Sequence, residues 1–205
     1  LVDGMESWID MEGNPYFYGL SSHENVEIKL YNKANPLKPW KTMGRMHDKY
    51  LIADGKVYIL GGRNTYNYFL GDFPGHKNFD RDVLVVCDEP QKDNSVNQLW
   101  NYFETIWEQE DCRYFHNSKK LADRQSVKKA VLELQEGYQQ YFEVNKEKIC
   151  DTDYADETFE TEKITLLSNP IHTQAKEPVV WYQLGELMKN AKERVKIHTP
   201  YIICN

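Results

Sequence analysis

His47 and Lys49 stand two positions apart at the head of the apolar run Tyr50-Leu51-Ile52-Ala53, and the stretch continues to Asp54 as H-x-K-x4-D. Gly61-Gly62-Arg63-Asn64 follows as G-G-x-N. A neutral imidazole is a competent nucleophile near neutral pH, and a fixed ammonium beside it can neutralise a phosphate oxygen while charge moves through the transition state. Asn64 adds a neutral donor to that oxygen. Gly61 and Gly62 lack Cβ, so backbone can approach a bulky anion and the chain can bend toward the site. An attacking histidine also needs its second nitrogen held by an acceptor, which fixes the tautomer and stabilises the developing charge. Asp82, at the start of Val83-Leu84-Val85-Val86, is the candidate acceptor. Asp54 completes the set from a turn, where it braces backbone rather than touching substrate. These residue types at these spacings suit attack on a phosphodiester.

The elements that must position them follow from local pattern. Tyr50 to Ala53 and Val57 to Leu60 are β-prone runs joined at Asp54-Gly55, a hairpin dipeptide. An extended His47-Asp48-Lys49 puts imidazole and ammonium on one face of that strand, and the Asp82 strand is expected to lie beside it. Val26, Ile28 and Leu30 alternate with Glu27, Lys29 and Tyr31, which predicts a half-buried strand and brings the expectation to three or four strands in the first 86 residues. After the capping sequence Asp93-Asn94-Ser95, Val96, Leu99, Phe103, Ile106 and Trp107 recur at helical spacing and predict a helix on the sheet. Trp100, Phe103 and Trp107 read as core. A second pattern through Val127, Val131, Leu134, Tyr138 and Phe142, rich in Lys, Glu and Gln, predicts a solvated helical connector. Residues 151–157 are acidic and aperiodic, the mark of a loop or boundary. From Ile164 the order reads strand, loop, helix at Val179 to Lys192 and strand at Val195 to Thr199, the start of a second α/β unit.

Composition narrows the partners. Lys and Arg number 25 against 32 Asp and Glu, and the net charge of -7 argues against broad nonspecific binding to nucleic acid or to an anionic bilayer, though it leaves room for a local basic patch. No nucleic acid partner is expected. No apolar run approaches the roughly 20 residues that span a bilayer. Cys87, Cys112, Cys150 and Cys204 are scattered and form no C-x2-C pair, so neither a zinc site nor a disulfide framework is indicated. Tyr66, Tyr68 and Phe69, just after Asn64, are placed to line a hydrophobic substrate channel, with Tyr66 as the substrate-binding candidate. The loop from Gly71 to Asp80, with His76 and Lys77, reads as solvated, and His23, His172 and His198 as structural or exposed.

The set His47, Lys49, Asp54, Gly61, Gly62, Asn64 resembles the HKD motif of the phospholipase D superfamily, and Asp82 resembles the acid that such enzymes set against a catalytic histidine. Leu166-Leu167-Ser168-Asn169-Pro170 and the stretch from Asn190 to Pro200-Tyr201 are similar to the segments that open the second catalytic half of bacterial cardiolipin synthase-like members. The resemblance implies an α/β fold, a phospholipase D-like sheet flanked by helices. Its divisions fall at residues 1–112, the C-terminal part of a first half with the HKD motif, 113–160, a helical connector and acidic loop, and 161–205, the beginning of a second half.

It further implies phosphatidyl transfer through a phosphohistidine, no cofactor and no metal, since the lysines and asparagines of a complete site replace it, a phospholipid substrate such as phosphatidylglycerol, and a place on the cytoplasmic side of a bacterial membrane, reached through the longer protein. Family members carry two HKD motifs that meet at one site, and this sequence holds one. Leu1 is not a start methionine, so the sequence is expected to be an internal piece, inert alone unless a homodimer brings two copies of His47 together. A phospholipase D or nuclease-type phosphodiesterase, and a non-catalytic membrane-surface binding protein, are the alternatives.

Overall fold

Asp54-Gly55 forms its turn with both residues in the left-handed region, at φ 52° and 66°, and the Lys56 N–H closes it on Ala53 O at 3.0 Å. Positive φ at both central residues matches the right-handed strand twist, which is why this dipeptide makes tight hairpins. The computed structural model describes residues 1–33, 35–66, 68–70, 74–87, 93–116, 118–171 and 177–199. Strand β1 is Val2–Asp3, β2 Lys29–Tyr31, β3 Lys49–Ala53, β4 Val57–Gly61, β5 Asp82–Val86 and β6 Cys112–Tyr114. The turn joins β3 to β4, and β5 pairs antiparallel with β4 on its other side. Asp82 therefore begins a strand that lies beside β4 and not, as the sequence suggested, beside the strand that His47 precedes. Successive strands have paired as a meander, which puts β4 in the middle.

The other sheet has the order β1-β2-β6, with β1 parallel and β6 antiparallel to β2. Five strands thus precede residue 87 rather than three or four, because β1 is a two-residue strand with no readable period. The strand expected from Val26 is regular only over Lys29–Tyr31, and all three residues are buried where alternation implied two faces. Both faces of β2 are packed, Leu30 in the cluster of Met11, Tyr18 and Phe115 and Tyr31 in that of Ile106 and Cys112. Lys29 satisfies its ammonium there by donating to Trp107 O at 2.9 Å and lying over the Trp107 and Tyr114 rings.

Six helices complete the described part, α1 Gly4–Asp10, α2 Pro15–Ser21, α3 Ser95–Trp107, α4 Lys119–Ala122, α5 Gln125–Cys150 and α6 Val179–Lys189, with a 3-10 helix at Pro39–Met43. Asn94 caps α3, its side chain accepting from the Asn97 N–H at 2.8 Å. Val96 and Leu99 of α3 pack against Tyr58 and Val85 of one sheet, while Ile106 meets Tyr31 and Cys112 of the other. Each fully buried aliphatic side chain contributes about 1.5–3 kcal/mol, so α3 ties the two sheets together. Trp100, read as core, is 41% exposed and turns its indole N–H to Glu104 at 2.9 Å. Only Val127 and Ala130 of α5 are buried, and most of its remainder is the solvated helix that its Lys, Glu and Gln content predicts.

Ile164 to Leu167 and Val195 to Thr199 form no strand. Neither has a ladder partner among the described residues, and an extended chain becomes a strand only when its N–H and C=O groups are paired. Leu166 N–H instead donates to Gln98 Oε1 at 2.9 Å, and Gln109 Nε2 donates to Ile171 O at 2.9 Å. The helix near Val179 is present, and Pro200 and Tyr201 lie outside the described residues, as does His172. The chain is mixed α/β, with two three-stranded sheets and six helices among the described residues. No helix among them is long and apolar enough to cross a membrane.

Candidate functional site

Lys49, Gly61 and Asp82 are direct cross-strand partners in one row across β3, β4 and β5. Strand alternation puts them on the same face as Leu51, Ile59 and Leu84, while Tyr50, Ile52, Tyr58, Leu60 and Val85 pack on the α3 side. A Cβ built on Gly61 would lie 1.9 Å from Asp82 Oδ1, and one on Gly62 would lie 2.7 Å from Asp80 Oδ2. The anions that approach these glycines are thus the chain's own carboxylates. Arg63 gathers them. Its Nε donates to Asp82 Oδ2 at 2.6 Å, Nη1 to Phe69 O at 2.7 Å and Nη2 to Asp80 O at 2.9 Å, clamping the β4–β5 connection to the sheet.

Asp82 is committed to Arg63, and no hydrogen bond joins it to His47 among the described residues. Lys49 Nζ donates to the His47 backbone O at 2.7 Å, which folds the ammonium back over the residue two before it. Partial burial holds that ammonium below the ordinary lysine range, against the opposing pull of the Asp48 and Asp80 carboxylates. The His47 imidazole and the Asn64 amide are exposed and have no hydrogen-bond partner among the described residues. Both are free to meet a ligand.

His47 borders a cavity of about 360 Å³. Tyr50 and Leu60 form its wall on the sheet side, Leu99, Tyr102 and Ile106 on the α3 side, and Leu166, Leu167, Ser168 and Asn169 on the far side. Arg45, His47, Asp48, Ser168 and Asn169 interrupt the apolar lining, and polar groups converging among apolar side chains are the usual make-up of a small-ligand site. Tyr102 Oη donates to Asp48 Oδ2 at 2.7 Å, fixing the residue between His47 and Lys49 to α3. Burial, reinforced by the Asp48 carboxylate, raises the Tyr102 phenol well above its ordinary pKa, and burial does the same for Tyr50, so both stay protonated as donors. Asn169 Oδ1 accepts from the Val180 N–H at 3.1 Å in the first turn of α6.

The structure thus gathers Lys49, Gly61, Gly62 and Asp82 at one end of the hairpin, where Asn64 follows β4 and His47 precedes β3. Asp54 sits on the turn at the opposite end, the length of a five-residue strand away. Tyr66 is 59% exposed, packs on Tyr68 at 4.9 Å between centroids, and does not line the His47 cavity. His76 is exposed and pairs with Asn78, His23 and His198 are exposed, and Gly71 to Phe73 lie outside the described residues. Sequence reasoning missed Arg63, which occupied the x of G-G-x-N, and Tyr102, which read as one more helix residue. Two aspartates at 80 and 82 with an arginine after the glycines were the only signal for the first. Among the described residues no group of three or more His, Cys, Asp or Glu is placed to hold a metal ion.

Comparison with known proteins adds a distant relative. An uncharacterized protein of Helicobacter pylori is 24% identical over 212 residues, covering 90% of this chain. The chain spans 39% of that relative's length. No family model matches the chain, and no solved structure is significantly similar to it.

Proposed function

We propose that this chain is the HKD-bearing part of a phospholipase D-superfamily phosphatidyltransferase of the cardiolipin synthase-like kind, working on phospholipid at the cytoplasmic surface of a bacterial membrane. The observation that carries the reading is the cross-strand row Lys49–Gly61–Asp82 with two unengaged phosphate-competent groups, His47 and Asn64, at the same end of the sheet. In this mechanism the imidazole of one HKD motif attacks phosphorus, a P–N bond forms, and the P–O bond to the leaving alcohol breaks. The histidine of the other motif gives the leaving oxygen its proton, then removes one from the incoming alcohol as that oxygen displaces the imidazole. Lys49 and Asn64 supply charge and a donor to the equatorial oxygens. Asp82 acts through Arg63, holding the turn that carries Asn64.

The second motif comes from a second catalytic half or a second copy. Leu51 and Ile59, on the face they share with Lys49 and Gly61, are 61% and 43% exposed, and a covering half would bury them.

The test is a thin-layer assay of the longer protein with labelled phosphatidylglycerol, beside its His47→Ala variant. Cardiolipin from the former and none from the latter supports the transferase. Phosphatidic acid alone makes it a hydrolase. No lipid product, with cleavage of an oligonucleotide, defeats the proposal in favour of a nuclease.

A further inference from the structure

Between β2 and His47 the chain carries Leu37, Trp40 and Met43 at intervals of three, and they stand 84%, 71% and 85% exposed. The backbone builds that interval. Lys38 N–H donates to Asn35 O at 2.9 Å, Lys41 N–H to Lys38 O at 3.0 Å and Gly44 N–H to Lys41 O at 3.1 Å, each an i to i+3 bond. At that period side chains three apart eclipse, so Trp40 and Met43 share a line on the 3-10 helix, which the turn before it extends toward Leu37, with Lys38 and Lys41 alongside.

The row is held outward by polar bonds beneath it. Asn32 Nδ2 donates to Lys41 O at 2.6 Å and Gly44 O at 2.8 Å, while Lys41 and Arg45 pair with Asp111 and Asp3, each at 2.9 Å. Residues 33–45 hold four cations and no acid in a chain of net charge -7. Lys33 pairs with Glu12, and Lys38 alone of the four makes no ion pair among the described residues. Arg45 and Met46, next in sequence, line the His47 cavity.

We propose that residues 37–43 dock this chain on a bilayer containing anionic lipid, with Leu37, Trp40 and Met43 entering the headgroup boundary and Lys38 meeting a lipid phosphate. An exposed apolar row with a tryptophan, flanked by lysines, matches the two demands of that boundary, apolar depth and surface negative charge. The acidic remainder is repelled by the same surface, so contact is confined to this edge. The docking stands independently, while its use in delivering substrate to His47 rests on the phosphatidyl-transfer reading.

Flotation of the 205-residue chain with phosphatidylcholine vesicles, with and without phosphatidylglycerol, tests it. The chain co-floats with the phosphatidylglycerol vesicles and less with the neutral ones. Combined Leu37→Ser, Trp40→Ser and Met43→Ser lowers its partition by on the order of tenfold or more, with an unchanged melting temperature because the three side chains are exposed. Lys38→Glu weakens binding to the anionic vesicles alone. No flotation, or equal flotation of the triple variant, overturns the proposal. So does loss of concentration-dependent self-association in that variant without loss of flotation, since the row then covers a second copy. Flotation without any lipid turnover by the longer protein would remove the phosphatidyl-transfer reading and leave the docking standing.

Discussion

Gly61 and Asp82 are coupled by contact, because a methyl at 61 would stand 1.9 Å from Asp82 Oδ1. Gly61→Ala must displace that carboxylate from Arg63, and the overpacking costs about 1–3 kcal/mol by denaturant unfolding. In an Asp82→Ala background the same change costs less than half as much, with the Arg81 carbonyl, 3.0 Å away, still in the way. Equal costs in both backgrounds would refute the contact. The motif spacing made Gly61 legible as a close approach, but what approaches it was not, since Arg63 and Asp82 meet only once β4 and β5 are paired. Glu12 offers a second test. The Lys33 ammonium bonded to it, with His116 at 3.0 Å, holds its carboxyl below the ordinary glutamate value of 4.5. A lowered folded pKa contributes stability that is complete above the unfolded value and is lost as pH falls through the folded one. Thermal melts of Glu12→Gln should therefore fall below wild type at neutral pH, by about 1 kcal/mol or less for so exposed a pair, and converge with it in acid below 4.5. A gap that persisted at the acid end would assign the loss to something other than charge.

Among the elements, those with a long period or a committed turn were legible and those without were not. The β3–β4 hairpin announced itself through Asp54-Gly55, and α3 through Val96, Leu99 and Ile106 with an Asn94 cap. Strands β1 and β6, two and three residues long, are too short to show alternation and exist because β2 lies between them. The meeting of α2 and α5 was equally hidden, since it depends on Gly19. A Cβ there would fall 2.6 Å from Val131 Cγ2, so the absent side chain is what lets the helices close. Alanine is the better helix former by about 0.5–1 kcal/mol. Overpacking against a stiff β-branched neighbour costs about 1–3 kcal/mol and should win. Gly19→Ala is expected to destabilise the wild type and to stabilise a Val131→Ala background, a change of sign that chemical denaturation can read. Stabilisation in both backgrounds would mean that the helices do not pack at Gly19.

At the scale of the whole molecule, the His47 cavity is assembled from residues far apart in sequence, Tyr31, His47, Tyr102 and the stretch 166–169. No single segment contains it, which is why the sequence yielded the catalytic candidates but not the cavity, which His47 alone of those candidates lines. Its far wall is an extended segment without a sheet, held through Gln98 to Leu166 N–H and Gln109 to Ile171 O. Two hydrogen bonds of about 1 kcal/mol each, with the partly buried Ile164 and Leu166 side chains, are a modest hold for a wall, so it is expected to open locally more readily than α3 or β4. Gln98→Ala with Gln109→Ala should leave the global melting temperature within a few degrees of wild type while speeding amide exchange across 164–171 by on the order of tenfold, the equivalent of about 1.4 kcal/mol. Amides of α3 should be unaffected, because its buried face looks to the two sheets. If exchange rises equally in α3 and in 164–171, the segment is part of the cooperative core; if it rises only in 164–171, the cavity has a wall that can move aside on its own.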